Sequence, residues 1–196
     1  MGKNWRSSKR IGFFDLIAPI YDRLFHPALN KFCRQGGFIK DGFILDIGGG
    51  TGRIASSLHD GNQKFLIADL SIRMMLQSRQ YPHVLPMMAD GGLLPLRDES
   101  MQAVLIADAY HHFQNRELVL KEVRRALYIK GNLYIFEPNI KKASVKCIAL
   151  LENMLGMHSK FFTMQEIEKT ITGLGFRILD KKEEGTSISL CFEKLE

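Results

Sequence analysis

The feature that most constrains the fold is an apolar run that breaks into a cluster of glycines. Residues 43–47 are typical of a buried strand, Gly48, Gly50 and Gly52 follow at alternate positions, and a helical pattern begins at Ile54. A strand, a glycine turn and a helix form the ligand-binding corner of a doubly wound sheet. Glycine is needed there because the turn takes positive φ and because a ligand must approach bare backbone.

Two carboxylates narrow the choice of ligand. Asp46 immediately precedes the turn, where it would repel a pyrophosphate but would suit an ammonium group. Asp69 ends a second strand-like run about 20 residues later, where an acidic side chain can accept hydrogen bonds from both hydroxyls of a ribose. Arg53 stands where a dinucleotide fingerprint has its last glycine, and the Gly-Lys-Ser/Thr ending of a phosphate-binding loop is absent. The glycine turn with Asp46 and Asp69 therefore favours an adenosine with a cationic amino-acid tail as the ligand, and S-adenosylmethionine is such a molecule.

Further segments, in order along the chain, carry a family resemblance. Residues 45–52 (Leu-Asp-Ile-Gly-Gly-Gly-Thr-Gly) resemble the first motif of class I S-adenosylmethionine-dependent methyltransferases. Residues 89–96 are similar to that family's adenine-binding acidic stretch, and residues 108–113 and 122–127 to the segment and helix after its fourth strand. The match covers most of residues 11–193.

The beginning of the chain carries a narrower resemblance. Phe14-Asp15 with Tyr21-Asp22 is similar to the N-terminal signature of the ubiquinone/menaquinone C-methyltransferase branch. By this resemblance, Tyr21 caps the methionine end of the cofactor. The alternative is an ordinary core tyrosine whose hydroxyl is hydrogen-bonded.

The motif positions give a set of expected cofactor-binding residues. Asp46 is assigned to the cofactor ammonium, directly or through water, and Asp69 to the ribose diol. Asp90 would accept the adenine amino group, and Gly91 would offer its backbone N–H. The alternative is a structural turn with solvated acids. The full set is Tyr21, Asp46, Gly48, Gly49, Gly50, Gly52, Asp69, Leu70, Asp90, Gly91, Ala107 and Asp108.

Three residues after the predicted fourth strand are candidates for catalysis. Tyr110, His111 and His112 lie at the carboxyl edge of the sheet, where doubly wound folds place their ligands. A neutral histidine there could take a proton from a phenol or an activated carbon acid. The alternative is structural hydrogen bonding, because methyl transfer from a sulfonium needs a base only when the acceptor loses a proton. Adjacent histidines cannot share one face of a helix, so we predict no metal site.

Alternating strand and helix patterns predict the fold class. We expect an α/β, Rossmann-like, doubly wound and mostly parallel seven-stranded sheet, with an antiparallel last strand and helices on both faces. One domain spans residues 1–196, with an N-terminal helical cap at 1–40 and a helical insertion over the pocket at 138–163. The predicted strands are 43–47, 65–69, 84–89, 101–107, 133–137, 176–182 and 187–193, and the predicted helices between them are 51–59, 72–79, 117–128 and 165–174.

Charge and hydropathy bear on partners and location. The net charge is +6 with scattered basic residues, which favours an evenly basic surface over a nucleic-acid or anionic-membrane partner. The group Lys3, Arg6, Lys9 and Arg10 precedes an amphipathic segment and could make a peripheral membrane contact. No apolar run approaches the roughly 18 residues of a membrane span, and no signal peptide is recognisable, so we expect a cytoplasmic protein.

Three functions stay open at this stage. The first is methyl transfer, with S-adenosylhomocysteine as product, to a small hydrophobic acceptor such as a quinone precursor or a lipid. The second is methylation of RNA or protein through the basic surface, and the third is a cofactor-binding homologue without turnover. No Asn/Asp-Pro-Pro-Tyr run follows the fourth strand, which argues against methylation of exocyclic base amines. The sequence leaves the oligomeric state open.

Overall fold

The fold is built around one β-sheet. The computed structural model describes residues 12–19, 41–154 and 159–196. Its strands in the described residues are β1 (Asp41–Ile47), β2 (Asn62–Asp69), β3 (Val84–Met88), β4 (Met101–Ala107), β5 (Leu127–Pro138), β6 (Phe176–Glu184) and β7 (Ser187–Lys194). They lie in the order β3-β2-β1-β4-β5-β7-β6. The first five strands pair in parallel, and β7 is antiparallel to both β5 and β6. The predicted fold class is confirmed.

Helices flank the sheet, and three of them begin at side chains that cap them. The helices are α1 (residues 12–19), α2 (Arg53–Leu58), α3 (Ile72–Ser78), α4 (Arg116–Ala126), α5 (Ala143–Met154) and α6 (Met164–Thr172), with a 3₁₀ turn at Tyr110–His112. The Ser71 side chain accepts a hydrogen bond from the Met74 N–H at the start of α3, and the Asn115 side chain accepts one from the Leu118 N–H at the start of α4. Thr163 and Glu166 form a reciprocal capping box at α6. Each cap satisfies backbone donors that the first helical turn leaves unpaired.

The core lies on both faces of the sheet. Successive residues of β1 point to opposite faces, so that Ile44 packs in one apolar cluster and Leu45 in the other. Leu120 and Val123 of α4 cover the Leu45 face, and Ile54 of α2 covers the Ile44 face. Burial on both faces explains why the central strands have nearly continuous apolar sequences.

The strand order reverses direction between β1 and β4. From β1 the chain proceeds outward through β2 and β3, whereas β4 lies on the other side of β1 and continues to β5. The connections that follow β1 and β4 therefore diverge above their carboxyl ends and leave a crevice, which is where open α/β sheets bind ligands. Residues 48–52 follow β1 and residues 108–113 follow β4, so both segments border this crevice.

The structure differs from the sequence prediction at the start of β5. This strand begins at Leu127, directly after α4, whereas the prediction began it at residue 133 after a turn. The residues interpreted as that turn form an irregularity inside the strand, where Lys130 has a φ of 64° and the register with β4 shifts. A Cβ at Gly131 would lie 2.8 Å from the Tyr128 carbonyl oxygen, so glycine permits this close path.

The described residues contain parts of both predicted helical coverings. Residues 12–19 are helical, and α5 lies within the predicted insertion. The rest of the N-terminal cap, including Tyr21 and the basic group at residues 3–10, lies outside the described residues, as do residues 155–158. None of the helices in the described ranges is long and apolar enough to cross a membrane.

Candidate functional site

The glycine loop after β1 has the left-handed backbone that its sequence indicated. Gly48, Gly50 and Gly52 have φ values of 76°, 54° and 75°, a region that residues with a Cβ rarely adopt. A Cβ at Gly48 would lie 2.7 Å from the Ala109 Cβ, because the loop after β4 packs against it. The Gly48 N–H donates to the Ala68 carbonyl oxygen at 2.8 Å and fixes the loop to the end of β2.

Asp69 joins this loop to the beginning of α3. Its Oδ2 accepts a hydrogen bond from the Gly50 N–H at 3.0 Å, and its Oδ1 accepts one from the Ser71 N–H at 2.7 Å. Burial raises the pKa of this carboxyl, and the backbone N–H groups of Ser71, Gly50 and Leu70 act in the opposite direction. A carboxylate has about four acceptor positions, so Asp69 can hold the loop and still accept from a ribose.

Asp46 lies behind the glycine loop and is 1% exposed. Neither of its side-chain oxygens has a hydrogen-bond partner within residues 12–19, 41–154 and 159–196. A Cβ at Gly49 would overlap Asp46 Oδ2, which explains why a glycine covers the carboxyl. Burial, and secondarily the charge of Asp69, raises the pKa of Asp46 to about 8. A buried carboxylate without a donor is costly, and a cation brought to the loop would offset that cost.

A cavity of about 560 Å³ opens in front of the loop, within the size range of small-ligand sites. Predicted cofactor residues that line it are Gly48, Gly49, Gly50, Asp69, Leu70, Asp90, Gly91, Ala107 and Asp108. Asp90 is exposed, and its Oδ1 accepts from the Gly92 N–H at 2.9 Å. Gly52 does not line the cavity. It packs inward, and a Cβ there would approach Ile67 and Ser78 at 3.1 Å.

The cavity is also lined by apolar side chains, one of them from α1. Phe14, Leu93, Phe113 and Leu118 line it. Asp15 holds α1 in place, because its Oδ1 accepts from the Ser71 hydroxyl at 2.5 Å and from the Arg73 N–H at 3.2 Å. Asp15 belongs to the N-terminal sequence signature, but sequence reasoning gave it no role.

Glu137, at the carboxyl end of β5, shapes the segment after β4. Its Oε1 accepts from the N–H groups of Ala109 and Tyr110 at 2.9 and 2.8 Å, and its Oε2 lies 2.6 Å from His111 Nδ1. Asp108, just before this turn, has a φ of 55°. Burial raises the pKa of Asp108 despite the nearby charge of His111. Sequence reasoning missed Glu137, although its place at the carboxyl end of a central strand is the same signal that identified Asp69.

The three candidate catalytic residues occupy different positions. His112 lines the cavity, whereas Tyr110 and His111 lie behind the wall with 2% exposure each. Tyr110 packs against the rings of Phe113 and Phe162, and burial raises the pKa of its phenol to about 12. Burial alone would lower the pKa of His111, but the Glu137 carboxylate raises it to about 9. Of the three, His112 is therefore the residue within reach of a ligand in the cavity.

The two histidine rings lie closer together than their adjacency in the sequence suggested. Their centroids are 4.0 Å apart, because they belong to a 3₁₀ turn and not to a regular α-helix. His112 Nδ1 is 3.0 Å from the Ser159 Oγ, and the Phe14 ring meets the His112 ring edge-on at 5.2 Å. Glu152 of α5 approaches from the other side, with Oε2 4.0 Å from His111 Nε2. The prediction of no metal site assumed that the two histidines lie on a regular helix, and this assumption does not hold in the 3₁₀ turn.

Comparisons with known proteins agree with this geometry. The family described as "Methyltransferase domain" matches residues 45–135. A demethylmenaquinone methyltransferase of Chlorobaculum tepidum is 30% identical over 154 residues, which cover 71% of this chain and 63% of the relative. An uncharacterised methyltransferase of Schizosaccharomyces pombe is 31% identical over 139 residues, covering 68% of this chain and 54% of the relative. The chain thus spans less than two thirds of the length of these relatives.

A solved structure extends the likeness to almost the whole fold. A chain in the complex between the Haloferax volcanii Trm112 methyltransferase activator and a methyltransferase superposes with a TM-score of 0.79. The match covers 96% of this chain and 97% of that chain at 15% sequence identity. At this identity, the likeness concerns the fold alone.

Proposed function

Because the chain belongs to the class I S-adenosylmethionine-dependent methyltransferase superfamily and resembles its ubiquinone/menaquinone branch, we propose that it methylates a small, apolar acceptor. The observation that carries this proposal is the pair of carboxylates at the glycine loop. Asp69 retains free lone pairs at the cavity, and Asp46 is buried without a donor in the described chain. Together they offer acceptors for a ribose and a counter-charge for an ammonium group.

S-adenosylmethionine is the cofactor of this family, and when bound it supplies a methyl group that is already activated. In this chain, Asp69 would hold the ribose, Asp46 the ammonium, and Asp90 with the Gly91 N–H the adenine. The protein then has to align the acceptor with the methyl–sulfur bond and keep water out. The apolar side chains that line the cavity are suited to excluding water.

Several features support an apolar acceptor. Phe14, Leu93 and Phe113 line the cavity. Helix α5 exposes Ile148 and Leu151 by 46% and 56%. The demethylmenaquinone methyltransferases among the relatives are named for an acceptor of this kind. A quinone precursor or a lipid-like phenol fits these features, and His112 at the cavity wall would take the proton that a phenol or carbon acid releases. A cytoplasmic location with peripheral membrane contact completes the proposal.

Calorimetric titration with S-adenosylhomocysteine, with NADH as the control ligand, tests the cofactor assignment. We expect micromolar binding of S-adenosylhomocysteine alone. Asp90→Asn should weaken it, whereas Asp98→Asn, which changes another exposed acid that pairs with Arg125 outside the cavity, should not. Stronger binding of NADH, or equal effects of the two substitutions, would refute the assignment.

A second assay tests the acceptor. The protein is incubated with S-adenosylmethionine and either apolar phenols and quinols or short RNA and basic peptides, and mass spectrometry detects added methyl groups. We expect methylation in the apolar set and slower turnover by His112→Gln. Methylation of RNA or peptides alone would replace the acceptor class, while the calorimetric result would still decide the cofactor.

A further inference from the structure

We propose that His111, His112 and Glu152 form a binding site for a divalent transition-metal ion of the Zn²⁺ class. The site lies where the 3₁₀ turn after β4 meets helix α5. One ring nitrogen from each histidine and one carboxylate oxygen of Glu152 lie within 4.8 Å of one another. The site requires neither S-adenosylmethionine nor an acceptor, so it does not depend on the proposed methyl transfer. A metal-bound His112 would not be able to take a proton from the acceptor, so its two proposed roles exclude each other.

The gap between Glu152 and His111 carries the proposal. Glu152 Oε2 is buried and has no partner at hydrogen-bonding geometry in the described part of the chain, although the Ser159 hydroxyl lies close enough to lower the pKa of this carboxyl. It faces His111 Nε2 at 4.0 Å, which is too long for a hydrogen bond. Two ligands bound tetrahedrally to one Zn²⁺ at about 2.0–2.1 Å lie roughly 3.3 Å apart. A small change in the Glu152 rotamer would bring both atoms onto one ion, which would also give the unpaired oxygen a partner.

The surroundings of His111 are those of a metal ligand. Its Nδ1 lies 2.6 Å from Glu137 Oε2, which leaves Nε2 directed at Glu152. Metal-binding histidines commonly donate their second ring nitrogen to a carboxylate in this way, which fixes the ring and increases its basicity. Phe161 stacks on the His111 ring at 4.3 Å and 18° and also restricts its orientation.

The donor set indicates which metal would bind. Two imidazoles and one carboxylate suit Zn²⁺ and its neighbours, whereas Mg²⁺ and Ca²⁺ prefer oxygen ligands throughout. Three protein ligands leave a fourth position for water or a substrate oxygen. Because His112 lines the cavity and Glu152 belongs to α5, a bound ion would tie α5 to the cavity wall.

Zinc titration of the metal-free full chain tests the site. The titration is made in a Cys147→Ser background, because the exposed Cys147 thiol of α5 is itself a soft ligand. We expect one Zn²⁺ per chain, tetrahedral visible bands with Co²⁺, and a rise in Tm of roughly 5 °C with excess Zn²⁺. Glu152→Gln should lower zinc affinity at least about tenfold and abolish the Tm rise.

Two further variants make the result decisive. Glu117→Gln, which changes an exposed glutamate of α4, should bind zinc as the parent does. His112→Gln should lose affinity like Glu152→Gln, and it replaces that variant if the latter fails to fold. Absence of zinc binding, or unchanged affinity in a folded Glu152→Gln or His112→Gln protein, would reduce the cluster to an ordinary ion pair. Retained binding of S-adenosylhomocysteine by Glu152→Gln would show that the cofactor assignment stands apart from this outcome.

Discussion

Asp46 and Glu137 are buried carboxylates at the same edge of one sheet, and their surroundings are opposite. Glu137, at the end of β5, receives two backbone N–H groups and faces the His111 ring. Asp46, at the end of β1, has no hydrogen-bond partner in the described residues, and its pKa is raised to about 8. Burying either carboxylate is costly, but at Glu137 hydrogen bonds within the protein offset that cost, whereas at Asp46 they do not. The difference separates a carboxylate that builds the site from one that suits a ligand.

The comparison is tested most strongly by Glu137→Ala. This substitution leaves the N–H groups of Ala109 and Tyr110 and the His111 imidazole without their acceptor in a buried segment. We expect a loss of about 3–5 kcal/mol in the free energy of unfolding, measured by urea denaturation. Glu117→Ala, on the surface of α4, should change it by less than about 0.5 kcal/mol. A loss below about 1 kcal/mol for Glu137→Ala would mean that water replaces the carboxylate, and the contrast with Asp46 would disappear.

Asp69→Ala examines an intermediate case, a carboxylate that serves both structure and ligand. We expect about 100-fold weaker binding of S-adenosylhomocysteine in calorimetry, because two charge-assisted hydrogen bonds to the ribose are lost. The fold should survive, since the groups that lose an acceptor are backbone N–H groups beside the open cavity, those of Gly50 and Ser71 among them. The matched control is Asp60→Ala, which changes an acid just before the first residue of β2, at the end of the strand away from the cavity. Unchanged affinity in Asp69→Ala would contradict the ribose assignment.

Asp46→Asn should have opposite effects on binding and stability. We expect roughly 30-fold weaker binding of S-adenosylhomocysteine, because the ammonium loses its counter-charge. The folded protein binds the Asp46 proton more tightly than the unfolded chain, so this group makes ligand-free stability fall as pH rises from about 4 to about 8. The Asp46→Asn variant lacks this loss, so its free energy of unfolding near pH 9 should exceed that of the parent by at least about 1 kcal/mol. Parallel stability curves for the two proteins would refute a destabilising Asp46.

The fold was predictable wherever local sequence decides the structure. Met101–Ala107 is apolar except for Gln102 and is followed by a turn, so the predicted and observed bounds of β4 coincide. The start of β5 was missed because Lys130 and Gly131 have the sequence of a turn, yet the chain passes them as an irregularity within a strand. The glycine loop was predictable because positive φ and close packing restrict those positions to glycine.

The candidate site was predictable only where its residues belong to sequence motifs. Asp69 stands at a fixed offset from the glycines, whereas Glu152 reaches His111 from a helix about 40 residues farther along the chain. No local pattern records such a contact. The distance between the two histidine rings was also hidden, because periodicity assumes an α-helix and the segment forms a 3₁₀ turn.

The smallest expected effect concerns the pH dependence of cofactor binding. With a pKa of about 8, Asp46 is mostly protonated at neutral pH in the ligand-free protein, whereas the ammonium favours the ionised form. Binding should therefore release nearly one proton at neutral pH, and affinity for S-adenosylhomocysteine should rise about fivefold from pH 7 to pH 8. Calorimetry in buffers of different ionisation enthalpy measures the proton directly. Asp46→Asn should release none, and equal proton release by both proteins would assign it to another group and leave Asp46 without a role in binding.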